Sequence, residues 1–402
     1  MSAPAGRPRI LIAGGGAGGL TTALALIERG YPVTVCEQAG KLRELGAGVQ
    51  IGPNGARVLI ELGLRAALER VVCEAAGKEA RIWNTGETFP LFDLGRDCVA
   101  RFGAPYWTAH RRDLQQVLAD AVERRRPGTI RLGARAIGVK QQEGGVRLAL
   151  ADGEEIEGDA LIGADGVHST IRAALFGAGP AEFTGLMAWR GLVPMESLPA
   201  HLRRPVGTNW MGPGGHVVTY PVRRGELLNF VGVVERDDWR VESWNEPGTT
   251  EECAGNFPGW HADVHTIIRA VETPFKWALL GRPPMTQWAE GRVGLLGDAC
   301  HPTLPFLAQG ANMAIEDGLV IARCLDAEPA DPAAAFRRFE RARMERTARV
   351  VRGSSDNTRR FHNRLLADPT SAVDYMRREM APEKLRTRYD WAYEYDARTA
   401  PV

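Results

Sequence analysis

The chain has 402 residues, enough for two interleaved domains or one large one with ample core. Its 50 Lys and Arg against 49 Asp and Glu leave a formal charge of +1, which argues against a nucleic-acid surface or a polybasic membrane face. Cys36, Cys73, Cys98, Cys253, Cys300 and Cys324 form no Cys-x-x-Cys pair and no metal-ligand spacing. They read as small buried hydrophobes of a reducing compartment, with no metal expected.

In chain order, Arg9-Ile-Leu-Ile-Ala13 is an apolar run long enough for one buried strand. Gly14, Gly16 and Gly19 follow at the spacing Gly-x-Gly-x-x-Gly, and from Leu20 the apolar spacing becomes helical up to Gly30. Tyr31 to Glu37 reads as the next strand and ends in an acid. Strand, glycine turn, helix, strand and acid together make a dinucleotide-binding unit. Gly14 allows the tight turn, Gly16 lets a pyrophosphate approach the backbone, and Gly19 lets the helix pack on the strand. Glu37 suits an unphosphorylated adenosine ribose. Ile10 to Ile27 carries no charge, yet it is rich in Gly and leads straight into a strand. A membrane span and a secretory signal are therefore rejected.

Lys41 to Asn54 is a Gly-rich loop, and a helix is expected from about Gly55 to Leu64. The loop either lines the far end of the nucleotide or is a plain connection. Lys78 to Phe102 reads as short strands with turns. Arg111 precedes a helix marked by Asp113, Leu114, Val117 and Leu118, where it can meet a phosphate or lie exposed. Thr129–Val139, Val146–Leu150 and Glu155–Ile162 read as an antiparallel meander with hairpin turns at Gly144-Gly145 and Asp152-Gly153. The meander runs into Asp165-Gly166-x-x-Ser169-x-x-Arg172, a spacing less common than a bare Asp-Gly turn.

The stretches Trp189 to Pro194 and Asn209 to Val234 have a β texture, with a hairpin turning at Arg223-Arg-Gly. His216, Val218 and Tyr220 alternate along one strand and share a face. They form either an acid–base pair or a satisfied core His beside an interfacial Tyr. Asp238 to Ile268 reads as mostly helical and polar. Val293 to Leu296 is a buried strand ending at Gly297-Asp298, the strand end where ligands bind in α/β sheets. An irregular Pro302/Pro305 loop leads into a helix from about Gly310. The positive end of that helix suits developing negative charge. A long Arg-rich helix spans Ala333 to Ser354. The aromatics after it pack on the main body or at a subunit interface.

Three motifs, the glycine fingerprint, Asp165-Gly166, and Gly297-Asp298 with His301-Pro302, resemble in order and spacing the single-component flavin-dependent aromatic hydroxylases. The loop at Gly46–Asn54 and Leu304-Pro-Phe-Leu-Ala-Gln-Gly310 look closest to the salicylate and 3-hydroxybenzoate branch. Pro305 departs from it, since the 3-hydroxybenzoate enzymes carry a Gln there.

The resemblance implies an α/β fold: an FAD-binding Rossmann-like domain of the glutathione-reductase type, interleaved with a β-sheet substrate domain and followed by C-terminal helices. It assigns 1–75, 103–178 and 281–350 to FAD binding, 76–102 and 179–280 to the substrate, and 351–402 to the helical end. It implies FAD held by Gly14, Gly16 and Gly19 at the pyrophosphate and by Glu37 at the ribose, with Ala17 and Gln38 also binding the cofactor. Val49 and Gln50 would lie near the ring, Arg111 and Asp165 would contact the cofactor, and Asp298 the ribityl chain. Pro305, Gly310, Ala311 and Asn312 would flank the pyrimidine edge. His216 and Tyr220 match an active-site pair, with His216, or Tyr220 relayed through it, taking the phenolic proton.

The implied reaction is hydroxylation of a phenolic aromatic acid by O2, with NADH or NADPH as transient reductant and a C4a-hydroperoxyflavin as oxygen donor. A hydroxypyridine substrate, or a flavin oxidase without NAD(P)H, is the alternative. A flavin halogenase is disfavoured because Trp-x-Trp-x-Ile-Pro is absent. A cytoplasmic homodimer is the family-based expectation.

Overall fold

The computed structural model describes residues 6–41, 48–177, 179, 182–236 and 246–402. The first part of the Gly-rich loop (42–47) and the opening of the polar stretch from Asp238 (through 245) lie outside the described residues. A six-stranded sheet organises the molecule. Its strands run Ala289–Glu290, Val293–Leu295, Ala160–Gly163, Ile10–Ala13, Val33–Glu37 and Ile130–Leu132. All neighbours are parallel except the first pair. Ile10 to Ala13 are completely buried, as expected for a central strand covered on both faces. The helices Ala17–Glu28, Arg111–Arg125 and Gly310–Ala327 pack around it.

The meander is smaller than the sequence suggests. Ala136–Gln142, Gly145–Leu150 and Glu155–Gly158 form an antiparallel three-stranded sheet. Ile130–Leu132 and Ala160–Gly163, at the two ends of the same run, belong to the parallel sheet instead. Gly133 makes the break with φ +71°. Alternating apolar residues look alike in both settings, so periodicity could not divide them.

An eight-stranded, mostly antiparallel sheet forms the second layer: Glu246–Pro247, Phe275–Gly281, Glu182–Pro194, Leu227–Glu235, Gly215–Val222, Val206–Gly212, Gly77–Ile82 and Thr88–Asp93. After Thr88–Asp93 the chain forms a short helix, Arg96–Phe102, where the sequence reading placed only strands and turns. Asp97 in its first turn and Gly103 at φ +71° past its end supply the helix signals.

The Arg-rich helix is longer than expected, at 30 residues from Pro332 to Phe361, with Asp331 capping Ala334 N–H. Helices Pro369–Glu379 and Pro382–Glu394 follow. Tyr375, Tyr389 and Tyr393 are buried against the main body, and Tyr393 meets Phe92, Phe102 and Tyr106 edge-on. Among the described residues no helix is long and apolar enough to cross a membrane, and no cluster of metal-ligating side chains is present. All six cysteines are buried and unbridged.

Candidate active site

A cavity of about 1190 Å³ runs between the nucleotide-binding sheet and the eight-stranded sheet. It exceeds the roughly 300–1,000 Å³ of an ordinary small-ligand pocket, leaving room for a dinucleotide and a second molecule. At one end lie Gly14, Gly16, Ala17, Glu37, Gln38 and Asp165. Gly14 has φ +111°, and a Cβ there would sit 2.3 Å from the carbonyl oxygen of Ala164. Gly16 differs: its φ is −74° and an added Cβ would meet nothing within 4 Å. The open space at this helix N-terminus is what an approaching pyrophosphate needs. Gly19 does not line the cavity; a Cβ there would lie 2.0 Å from the carbonyl oxygen of Gly14, so its place is helix-on-strand packing. Glu37 is held at the rim by the N–H groups of Gly15 (2.7 Å) and Ala39 (2.8 Å), one on each oxygen.

The Asp165 motif explains itself locally. Ser169 Oγ donates to Asp165 at 2.5 Å and caps Arg172 N–H at 2.9 Å. The Arg172 guanidinium ties the turn to the carbonyls of Val167 and Ala299, joining this loop to the one carrying Asp298. Asp298 faces the cavity. The enclosing walls raise its carboxyl pKa, against the pull of His301 and Arg111. Arg111 opens its helix at the cavity wall.

Across the middle, Val49, Gln50, Pro305, Gly310 and Ala311 line the cavity. Asn312 does not. Its side chain is buried and accepts from Gly52 N–H (2.9 Å) while donating to the carbonyls of Gln50 and Ala308. It therefore holds two lining loops together. Beneath them lies a buried ionic cluster. Asp317 accepts from Gly297 N–H (3.0 Å) and Arg343 (2.7 Å) and pairs with His301 (2.6 Å). Glu316 pairs with Arg343 (2.6 Å) and Arg346 (2.7 Å) and accepts from Asn54 (2.6 Å). Burial pushes the Asp317 pKa up, but His301 and Arg343 outweigh it and hold the value at about 2. The His301 of the third motif is thus a structural partner of Asp317.

At the far end, one face of the eight-stranded sheet forms the wall. His216, Val218 and Tyr220 point into it beside Asn209, Val231 and Val233. Gly48 must be glycine here: a Cβ would come 2.5 Å from the Tyr220 ring and 2.7 Å from Asn229, whose Oδ1 accepts from Gly48 N–H. Burial raises the Tyr220 phenol pKa. His216 is 1% exposed and wedged edge-on between Phe306 and Phe361. Burial holds its pKa well below the ordinary histidine value. Its hydrogen bond runs from Nδ1 to His362 Nε2 (2.7 Å), and His362 Nδ1 meets Glu235 at 3.0 Å. The histidine's polar connection therefore leads away from Tyr220, four residues along the strand, and not through it. Lys78 completes the wall, donating to Tyr106 Oη at 2.7 Å, with Tyr106 in turn donating to Gln50 at 2.7 Å. Burial lowers the Lys78 pKa to about 7. Among the described residues no carboxylate pairs with it.

Residues 7–354 match the FAD binding domain family. The chain belongs to this family of FAD-dependent aromatic hydroxylases. The hydroxylase is 40% identical over 397 residues to the 3-amino-4-hydroxybenzoate 2-monooxygenase of Streptomyces platensis, covering 98% of each chain. It is 36% identical over 356 residues to the 6-hydroxynicotinate 3-monooxygenase of Bordetella bronchiseptica, covering 88% of this chain and 92% of that one. Among solved structures, a salicylate hydroxylase substrate complex matches with TM-score 0.80 and 26% identity, covering 98% of this chain and 99% of that one. The cavity fits FAD in its own terms: open space at Gly16, the bend at Gly14, and a continuous lining past Asp298 to the substrate wall. Lys78, Tyr106, His362, Glu235 and Arg343 of the hydroxylase carry no motif signal. A lysine in a predicted strand, or a histidine near the end of an Arg-rich helix, reads as an ordinary surface residue.

Proposed function

We propose that this hydroxylase places a hydroxyl group on a phenolic aromatic acid, with NADH or NADPH as reductant. The observation that carries the reading is the pairing of a cation and a base on one wall, Lys78 and His216. Lys78 is a half-buried amine, charged below about pH 7, whose hydrogen-bond partner is a neutral phenol, so a ligand carboxylate would supply the opposite charge it lacks. His216 is a buried neutral imidazole, suited to accept a phenolic proton. Residues four apart on a strand are about 13 Å apart. Lys78 lies two strands from Tyr220 in the same row, so the wall offers separate places for the two ends of a hydroxylated ring acid.

The redox chemistry, electron uptake from the nicotinamide and activation of dioxygen, belongs to the bound FAD. The chain's own part is to bind, orient and ionise. Phe92, Phe306 and Phe361 enclose the ring and exclude water. Deprotonation by His216 makes the ring carbons ortho and para to the oxygen nucleophilic. The helix from Gly310 opens at the cavity wall with Pro305 and Ala311 beside it, and its positive end would hold negative charge on the pyrimidine side of a reduced flavin. The similarity to the aminohydroxybenzoate enzyme makes 3-amino-4-hydroxybenzoate the first substrate to try, and the similarity to the hydroxynicotinate enzyme supports a hydroxypyridine carboxylic acid as a second.

Titrating FAD-loaded protein with these acids and their hydroxyl-free and carboxyl-free analogues tests the reading. A flavin absorbance change that requires both groups supports it. Equal response to phenol and to the phenolic acid would refute the role given to Lys78.

A further inference from the structure

His216 is joined to solvent by a directional chain of hydrogen bonds. Glu235 ends the strand Leu227–Glu235, and its side chain is 57% exposed. Its carboxylate only accepts, so His362 Nδ1 carries the proton of their 3.0 Å contact. A neutral His362 then offers Nε2 as an acceptor, and the 2.7 Å contact to His216 requires the proton on His216 Nδ1. That leaves the lone pair on His216 Nε2, the basic nitrogen of a ring that lines the cavity. One exposed carboxylate thus fixes the tautomers of two buried imidazoles. Gly214 N–H on the carbonyl of His362, and Glu235 N–H on the carbonyl of Gly214, keep the three elements in register.

We propose that His362 and Glu235 are positioning residues that pass the substrate's phenolic proton from His216 to bulk water. The proposal rests on the hydroxylase reading above. In the forward step the substrate O–H bond breaks and a bond forms to His216 Nε2. The Nδ1 proton of His216 moves to His362 Nε2, and the Nδ1 proton of His362 moves to Glu235 and then to water. The net change is phenol to phenolate plus one hydrated proton. Both imidazoles are left in the opposite tautomer, and they return when the product oxygen takes a proton back by the same path. Burial keeps both histidines neutral, as such a chain needs. Phe306 and Phe361 close the flanks of His216, so the chain is its polar exit.

The test is rapid mixing of FAD-loaded protein with 3-amino-4-hydroxybenzoate, 3-hydroxybenzoate or 6-hydroxynicotinate in weak buffer. Phenolate absorbance and proton release to a dye are followed together. The expected result is that Glu235→Gln and His362→Gln slow both signals by about tenfold or more, with ligand affinity and flavin content little changed. Glu235→Asp should retain the rate, and added imidazole should restore it in Glu235→Gln. Glu235 is exposed, so its variants keep the test open if His362→Gln fails to fold. Unchanged rates in both Gln variants would overturn the relay alone. A wild-type protein that ionises none of the three acids would overturn the relay together with the hydroxylase reading.

Discussion

Lys78 gives the sharpest prediction, because its place in the cavity fixes both a magnitude and a pH dependence. The perturbation is Lys78→Met, which keeps an unbranched chain one atom shorter and removes the charge. A hydrogen bond to a charged group contributes about 1.5–3 kcal/mol, so affinity for a ring carboxylate should fall roughly 10- to 150-fold. Burial has brought the Lys78 pKa down to about 7 in the free protein. A bound carboxylate favours the ammonium form. Above pH 7 the empty site must therefore take up a proton before it can bind, and apparent affinity should fall about tenfold per pH unit. Between pH 7 and pH 9 that amounts to about 50-fold, since half of Lys78 is already uncharged at pH 7. Below pH 7 the curve should flatten, since Lys78 is already charged. His216 stays neutral over this range, because its pKa is held low, and adds no slope. The assay is equilibrium dialysis of benzoate, whose carboxyl ionises far below the range, against the FAD-loaded protein. Lys78→Met should be weak and flat with pH. A flat wild-type curve from pH 6 to 9, or unchanged affinity in Lys78→Met, would refute the assignment.

Other consequences follow from the same geometry. His216→Ala should retain FAD and its reduction by NAD(P)H but lose hydroxylation by about 10²–10⁴-fold, seen as nicotinamide oxidation without product. Gly16→Val should leave the thermal stability of the FAD-free protein nearly unchanged, since its Cβ meets nothing, while FAD binding is lost; Gly14→Ala should damage both, because its Cβ strikes the Ala164 carbonyl. Arg343→Met removes the shared cation from two buried carboxylates and should cost about 3–5 kcal/mol in urea unfolding. Asp317 is held below its ordinary pKa, so its contribution is fully present above about pH 4 and lost as pH falls toward 2; the wild-type protein should lose stability across that window more steeply than Asp317→Asn.

The nucleotide end was legible in the sequence because it is local. The strand, the glycines and Glu37 lie within thirty residues, and each glycine answers a steric demand of the backbone. The Gly297-Asp298 turn was legible for the same reason. The substrate end was only half legible. His216 and Tyr220 showed themselves by strand alternation, but their partners come from elements more than a hundred residues away. His362 reaches His216 across 146 positions of sequence, and Gly48, whose backbone seats the Tyr220 ring, lies farther still from it. Asn312 shows the opposite failure. It occupies the right turn, but its amide is consumed by the backbone of the neighbouring loop, which sequence spacing does not reveal. The extent of the meander was misread because a parallel strand and a meander strand can share one alternating pattern.

The central claim is that this chain uses FAD and a reduced nicotinamide to hydroxylate a phenolic ring acid. The most direct measurement is oxidation of NADH and NADPH by the FAD-loaded protein with 3-amino-4-hydroxybenzoate, salicylate, 3-hydroxybenzoate, 4-hydroxybenzoate and 6-hydroxynicotinate, with products identified by mass. The account predicts that at least one acid stimulates oxidation and leaves a product one oxygen atom heavier, or with carboxylate replaced by hydroxyl. Bound, reducible FAD with no stimulation by any of these acids would contradict it.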